Sequence, residues 1–416
     1  MDTRRFTALA TALSAAALVS ASAHAGSFAI KERSTRAQGL SFAGATAGSG
    51  GLQSMGFNPA AIGVIDPGAG NVEISGGVSV INPNTEGQAS VNGVPVGGPF
   101  DAGRLAGLAN SYIGFRLEDD ILLGMAIYTP FGLTTQYDAG WLGQFDALTS
   151  SLQTITFAPT IAYEPMPGLT LALSGNLMYT SVRLTTAAGQ LDGDTTVPSF
   201  SVGAMWQATP STTVGLAYLH GYNIQVDGFF TPTGGVPLPA RAAAQLPGVV
   251  SLGVVQGITS DFRVMGEVQW QNWSTFDKLD VALIGGPALQ SDTQGYEDAF
   301  YIAAGAEYDI NDQFTVRTGV GWDQTPTNSG TPVGVFPAAV NPIATNRTAR
   351  VPDEDRLWLS IGASYAMNDH MSIDVGYSYL FALEDSVVGL RNAPAGSVAI
   401  YEGSAHIFSI GGSMKF

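Results

Sequence analysis

From Phe314 onward the chain alternates: Phe314, Val316, Thr318, Val320 and Trp322 stand at even positions, with Thr315, Arg317, Gly319, Gly321 and Asp323 between them. The same period of two sets Leu357, Leu359, Ile361, Ala363 and Tyr365 against Trp358, Ser360, Gly362 and Ser364, and it continues over 371–379. It also closes the chain, with Phe408, Ile410, Met414 and Phe416 opposed to Ser409, Ser413 and Lys415. Residues two apart share a face of a strand, so each run predicts a strand with one apolar face and one small or polar face. Fourteen such runs can be placed, at about 71–81, 107–117, 121–128, 152–164, 169–186, 199–208, 212–225, 249–258, 262–274, 298–310, 314–323, 356–367, 371–381 and 405–416. Short turns such as Glu118-Asp119-Asp120, Thr209-Pro210-Ser211 and Asn368-Asp369-His370 suit tight hairpins. They alternate with long Gly-, Pro- and polar-rich connections near 82–106, 129–151, 187–198, 226–248, 275–297, 324–355 and 382–404. The pattern predicts an all-β fold, a 14-stranded antiparallel transmembrane β-barrel with both ends on the short-turn side. A soluble sandwich also alternates, so the period alone leaves two fold classes open.

Composition separates them. Of 416 residues 12% are charged and 45% hydrophobic, whereas a soluble domain carries about 25% charge. Beyond residue 25 no apolar run is long enough to cross a bilayer as a helix. A hydrophobic chain without membrane helices fits strands that show every second residue to lipid. Gly is also abundant, at 52 residues, as expected where small side chains leave room inside a barrel. The net charge of −17 argues against nucleic acid as a partner. It fits solvated loop carboxylates, able to bridge to lipopolysaccharide phosphates through divalent cations. With no Cys, disulfides, thiolate metal sites and Cys nucleophiles are excluded. His24, His220, His370 and His406 are scattered and form no metal or catalytic motif. No catalytic residues, metal or cofactor are expected, and the protein is not expected to be an enzyme.

Two segments lie outside the strand pattern. Residues 1–25 read as a secretory signal peptide: Arg4 and Arg5, an apolar stretch from Phe6 to about Val19, then Ala23-His24-Ala25. Residues 26–70 are small, Gly-rich and too short for a domain. A wide barrel must leave its lumen open or fill it. This segment is therefore expected to fold inward as a plug, with a periplasmic extension as the alternative, and 71–416 to form the barrel. Phe416 ends the last strand and resembles the signal read by the outer-membrane barrel-insertion machinery.

Several motifs in order carry a resemblance. Gly26-Ser27-Phe28-Ala29-Ile30, the stretch Gly39–Ala47 and Phe57-Asn58-Pro59-Ala60 resemble the N-terminal hatch of the FadL/TodX (OmpP1) family of outer-membrane transporters of hydrophobic compounds. Tyr128-Thr129-Pro130-Phe131-Gly132, Trp141-Leu142-Gly143 and Gln271-Asn272-Trp273-Ser274-Thr275-Phe276 resemble later segments of that family. So do Arg317-Thr318-Gly319 with Pro326, and Val351–Ser360. The resemblance implies an uptake channel: capture at extracellular loops, an internal apolar pocket, and lateral release through the wall near a kinked third strand. Its cargo would be long-chain fatty acids, with aromatic hydrocarbons as the alternative; a general aqueous porin is a weaker one, and a structural or adhesive barrel a third. Phe57, Asn58, Pro59 and Ala60 would belong to the gating hatch, and Pro130, Phe131 and Gly132 to the wall opening.

Apolar side chains in long loops are candidate ligand contacts, namely Phe131, Leu133, Trp141, Leu142 and Phe145 in one and Phe229, Phe230, Val236 and Leu238 in another, as is Trp358. Arg183, Arg263, Arg317 and Arg356 are candidate cations for a carboxylate. Expected partners are a hydrophobic small molecule, outer-membrane lipid and lipopolysaccharide, and the insertion machinery; a monomer is expected. Two departures weigh against fatty-acid specificity: Glu297 and Tyr301 stand where relatives carry basic residues, and the connection 187–198 is short.

Overall fold

The computed structural model describes residues 27–65, 71–327 and 346–416, so the expected signal peptide lies outside the described residues. Fourteen antiparallel strands form the wall. They are β1 (Val72–Val91), β2 (Ala106–Arg116), β3 (Ile121–Tyr128), β4 (Thr149–Met166), β5 (Leu169–Thr186), β6 (Gly189–Thr209) and β7 (Thr212–Leu219). The circuit continues with β8 (Val249–Gly257), β9 (Phe262–Gln271), β10 (Ala299–Asp309), β11 (Phe314–Asp323), β12 (Arg356–Asn368), β13 (Met371–Ala382) and β14 (Ser397–Lys415). Each pairs with the next, and β14 returns to β1 from Glu73↔Lys415 to Val91↔Ser397. Phe416 extends this seam, its N–H donating to the Val72 carbonyl at 2.9 Å. Closure is required because hydrocarbon cannot satisfy an open strand edge.

The alternation read from the sequence becomes two chemistries. Ile161, Leu173, Val202, Leu252, Ile302 and Ile361 point outward and are exposed, while Ala158, Thr160, Ser174, Ser201 and Ser360 face inward and are buried. Short turns, including Pro167-Gly168 and Asp369-His370, mark the periplasmic end; the long connections are extracellular.

The outer half corrects the strand boundaries. The stretch 187–198 is a continuation of the sheet: β5 and β6 pair without interruption from Leu169↔Trp206 to Thr186↔Gly189. β1 runs on to Val91 and β14 begins at Ser397. Further pieces, Gly132–Gln136, Tyr222–Pro232 with Leu238–Leu246, and Lys278–Leu283 with Ala288–Thr293, stand above the wall. Above the lipid neither face must be apolar. The backbone ladder therefore persists while the hydrophobic alternation that marks it, lost in Gln190-Leu191-Asp192-Gly193-Asp194, does not.

Residues 27–65 pack against the inward faces of the strands and are almost wholly buried. The segment starts with α1 (Thr35–Gln38), capped by Ser34, whose Oγ accepts from Ala37 N at 3.1 Å. A single 3₁₀ turn follows at Ala45–Ala47, and two-turn 3₁₀ helices at Gly51–Gly56 and Pro59–Val64. Hydrogen bonds tie this segment around the barrel: Tyr112 Oη to Arg33 O (2.7 Å), Tyr301 Oη to Ser41 O (2.6 Å), Gln38 Nε2 to Ile407 O (3.2 Å) and Thr46 N to Glu267 Oε2 (3.1 Å). Wall glycines make the fit possible. A Cβ on Gly319 would overlap the Leu40 carbonyl, and one on Gly215 the Thr46 carbonyl.

Candidate functional site

The wall is broken beside β3. β2 pairs with β3 from Arg116↔Leu122 to Ser111↔Ile127 and stops, so Ala106–Asn110 pair only with β1. On its other side β3 follows β4 to Tyr128↔Thr156, and pairing resumes at Gly132↔Gln153. Thr129, Pro130 and Phe131 therefore oppose only Thr154 and Ile155, a bulge with Pro130, which has no N–H, at its centre. The Thr154 hydroxyl fills in for the ladder, donating to Phe131 O at 2.6 Å. From inside, the hatch-like segment supplies a substitute strand: Ile30 N donates to Pro130 O and Gly132 N to Phe28 O, both at 2.9 Å, with Ala29 bridged to Phe131. Pro130, Phe131 and Gly132, singled out from the sequence, thus stand at the break.

Extracellular to the break lies a half-open cavity of about 840 Å³, counted with the solvent in its mouth. Its walls are Leu133 and Leu152, Val182 and Leu184, Ile224 and Val226, with Phe28 and Phe276 beneath. The polar lining residues are few: Asp146, Ser150, Ser151, Gln294, Thr348 and Arg350, whose Nη1 donates to Ser150 Oγ at 3.1 Å. An apolar chamber with a few convergent polar groups is the usual form of a small-molecule site. Phe28 joins chamber and break. Its ring packs edge-on against Trp273 (4.8 Å) and Phe276 (5.3 Å) and tilts against Phe131 (6.3 Å), while its carbonyl holds Gly132.

Of the ligand candidates chosen from the sequence, Leu133 lines the chamber, and those singled out most strongly lie elsewhere. Trp141 stacks on Tyr137 at 4.1 Å and, with Leu142, packs into an outer cluster around Tyr401. Phe145 and Phe229 are exposed, and Phe230 covers Leu191, Ala240 and Val281. Arg183, itself exposed, pairs with Asp192 across the β5–β6 hairpin at 2.6 Å. Arg317 and Arg263 both bind Glu307 at the periplasmic end of the lumen. Trp358 is fully buried, edge-on to Phe42 at 5.6 Å. Apart from Leu133, none of these lines the chamber. The reading missed Phe28, Ile224, Val226, Phe276 and Arg350 as lining residues; of these Ile224 and Val226 left a periodic signal, an alternating apolar face with Tyr222 inside a stretch divided between strand and loop.

Phe57-Asn58-Pro59-Ala60 forms the start of the last 3₁₀ helix of this segment. Asn58 caps it, Oδ1 accepting from Ala60 N at 2.9 Å, and its Nδ2 donates to Thr46 O (2.8 Å) and to Ala204 O of β6 (3.0 Å). Nearer the chamber, Lys31 Nζ sits 3.2 Å from Asp323 Oδ1 and 4.2 Å from the Tyr301 ring centroid. Arg356 links Asp323 (3.9 Å) to Asp353 (2.9 Å), which accepts from Ser27 N at 2.9 Å. Among the described residues no group of three or more His, Asp or Glu is placed to hold a metal ion.

The family model described as "Outer membrane protein transport protein (OMPP1/FadL/TodX)" matches residues 16–416. The chain belongs to the FadL/TodX family. It is an outer-membrane β-barrel of a family that transports hydrophobic compounds. The long-chain fatty acid transport protein of Escherichia coli (strain K12) is 24% identical, over 88% of this chain and 90% of that one. Among solved structures, a Pseudomonas aeruginosa FadL homologue has a TM-score of 0.80 at 21% identity, covering 94% of this chain and all (100%) of that one. The Ralstonia pickettii toluene transporter TbuX has a TM-score of 0.65 at 19% identity, covering 92% and 98%.

In this family member the N-terminal segment carries a pH-sensitive residue. Burial raises the Glu32 carboxyl from 4.5 to about 7, against the pull of the Lys31 N–H bonded to it at 3.0 Å, the Lys31 charge and, in the opposite sense, Asp323. Its Oε1 has no hydrogen-bond partner among the described residues. A raised carboxyl pKa stabilises the packed state fully below about 4.5, and that stability is lost as pH rises through about 7. Amide exchange protection over 28–33 is expected to be at least about tenfold lower at pH 8.5 than at pH 5. In Glu32→Gln the difference should vanish; an equal pH dependence in that variant would assign it to another group.

Proposed function

We propose that this protein takes up hydrophobic small molecules, long-chain fatty acids foremost, by capture in the outer chamber and lateral release into the membrane through the break beside β3. The observation that carries this reading is Phe28, which lines the chamber with its ring and holds the break with its carbonyl. An occupant that displaces the ring also pulls on the backbone bonds to Pro130 and Gly132 that cover the gap. Each buried CH₂ contributes roughly 0.8 kcal/mol to capture, and Arg350 offers charge-assisted donors to a carboxylate. Release between Ala106–Asn110 and the β3–β4 bulge keeps the cargo in apolar surroundings. A second reading, aromatic hydrocarbons, is favoured by the ring cluster of Phe28, Trp273, Phe276 and Tyr296 under the chamber.

The test is uptake by a deletion strain complemented with this gene, with oleate and toluene as separate substrates. Native mass spectrometry of the purified protein would identify what occupies it. Val226→Trp, which fills the chamber, is expected to lower uptake of the true substrate at least about tenfold while the barrel still assembles. Unchanged uptake by that variant would remove the chamber from the route. Steady ion conductance by the wild type in planar bilayers would favour a porin instead.

A further inference from the structure

Asn110 lies on the free edge of β2, where its ladder to β3 has just ended. It is 5% exposed and faces inward, as do Leu108 above it and Tyr112 below. Neither its Nδ2 nor its Oδ1 has a hydrogen-bond partner among the described residues. The Thr35 hydroxyl, fully buried and equally unpartnered among the described residues, sits between Gly77, the β1 residue directly opposite Asn110 in the ladder, and Gly411 of β14. Just beyond, the inward face becomes apolar: Leu108 and Ala106 join Ile30, Ile81 and Ile407 in one cluster. An amide buried this way without partners is costly, and buried polar groups in native proteins are nearly always paired. Asn110 at the edge of the break and Thr35 one strand further in therefore leave an amide and a hydroxyl, three hydrogens to donate and two oxygens to accept, on the lumen side of β1 and β2, next to an apolar surface.

We propose that Asn110 and Thr35 form a head-group contact at the lateral exit, selecting cargo that ends in a carboxyl or hydroxyl over unsubstituted hydrocarbon. This rests on the uptake reading above and sharpens its substrate class. The amide donates to a carboxylate or accepts from a hydroxyl, the Thr35 hydroxyl does either, and the alkyl chain lies along Leu108 and Ile30. These residues act at the exit, so their loss changes discrimination without emptying the chamber.

Two measurements test this. In deletion cells expressing the full chain, Asn110→Leu and Thr35→Val are compared with wild type for initial uptake of dodecanoic acid and of n-dodecane. The acid-to-hydrocarbon ratio is expected to fall about tenfold in Asn110→Leu and in the same direction in Thr35→Val. An unchanged ratio, as expected if these groups only hold a water, overturns the proposal. Should either variant fail to assemble, photolabelling of the purified wild type decides. A dodecanoic acid bearing a diazirine beside its carboxyl is expected to label 34–38 and 106–116, and one bearing it at the tail is not. Labelling confined to the chamber overturns the exit contact and leaves the uptake reading standing. Labelling nowhere in the protein overturns both.

Discussion

A variant carrying Gly215→Val and Gly319→Val is expected to insert as a barrel and to conduct ions steadily in planar bilayers, where the wild type stays closed. Both glycines face the lumen, on β7 and β11, and in both the space a Cβ would need holds the backbone of the inner segment, at Thr46 and Leu40. A flexible side chain could swing aside; a carbonyl in a tightly packed segment cannot without carrying its neighbours. Thr46 is also bound to Glu267, and Ser41, next to Leu40, to Ser360 and Tyr301, so the displacement breaks several buried hydrogen bonds at once. Each bond left unmade costs about 1–3 kcal/mol, enough together to expel the segment. The wall tolerates the change, because valine is a favourable strand residue. Folding is checked by heat-modifiable gel mobility and loss of closure by conductance and by sensitivity to large antibiotics. Gly175→Val, at a site with nothing within 4 Å, is the control and should remain closed. A double variant as closed as this control would mean that the segment does not seal the barrel.

The wall could be read from the sequence because lipid and lumen impose opposite chemistry on alternate residues. Leu359 and Ile361 against Ser360 and Gly362 is such an instruction, and the structure follows it. Above the membrane water lies on both sides, the instruction ceases, and a hairpin such as 187–198 reads as a loop although its backbone is fully paired. The chamber was hidden for another reason. Phe28, Ile224, Phe276 and Arg350 are far apart in the chain, and no period in a long connection shows which apolar groups face one another. Trp141 and Phe230 were visible as apolar loop residues, yet they fill outer clusters of their own. Arg183 looked available until the register of the β5–β6 hairpin set Asp192 directly across from it. Pro130 was legible because its chemistry is local: a residue without an N–H cannot complete a ladder, whatever surrounds it.

Lys31→Met and Asp323→Leu, made singly, are each expected to loosen residues 28–33, and the double variant is expected to restore them. Both side chains are almost completely buried, at 4% and 0% exposure. Burial holds the Lys31 ammonium below its usual pKa, and the facing Asp323 carboxylate raises it again. Removing one member of a buried ion pair leaves the other poorly compensated and costs about 3 kcal/mol, while replacing both by apolar groups of similar size is often neutral. Arg356 softens the loss on the Asp323 side but remains 3.9 Å away, held chiefly by Asp353 at 2.9 Å. Exchange protection over 28–33 should therefore fall about a hundredfold in each single variant and return to within about tenfold of wild type in the double. Because these residues cover the break through Ile30 and Phe28, the singles should also release cargo faster, and the double at the wild-type rate. If the double were as unprotected as the weaker single, Lys31 and Asp323 would be acting through separate partners. Protection unchanged in the singles would place the hold on this segment in the backbone bonds to Pro130 and Gly132 alone.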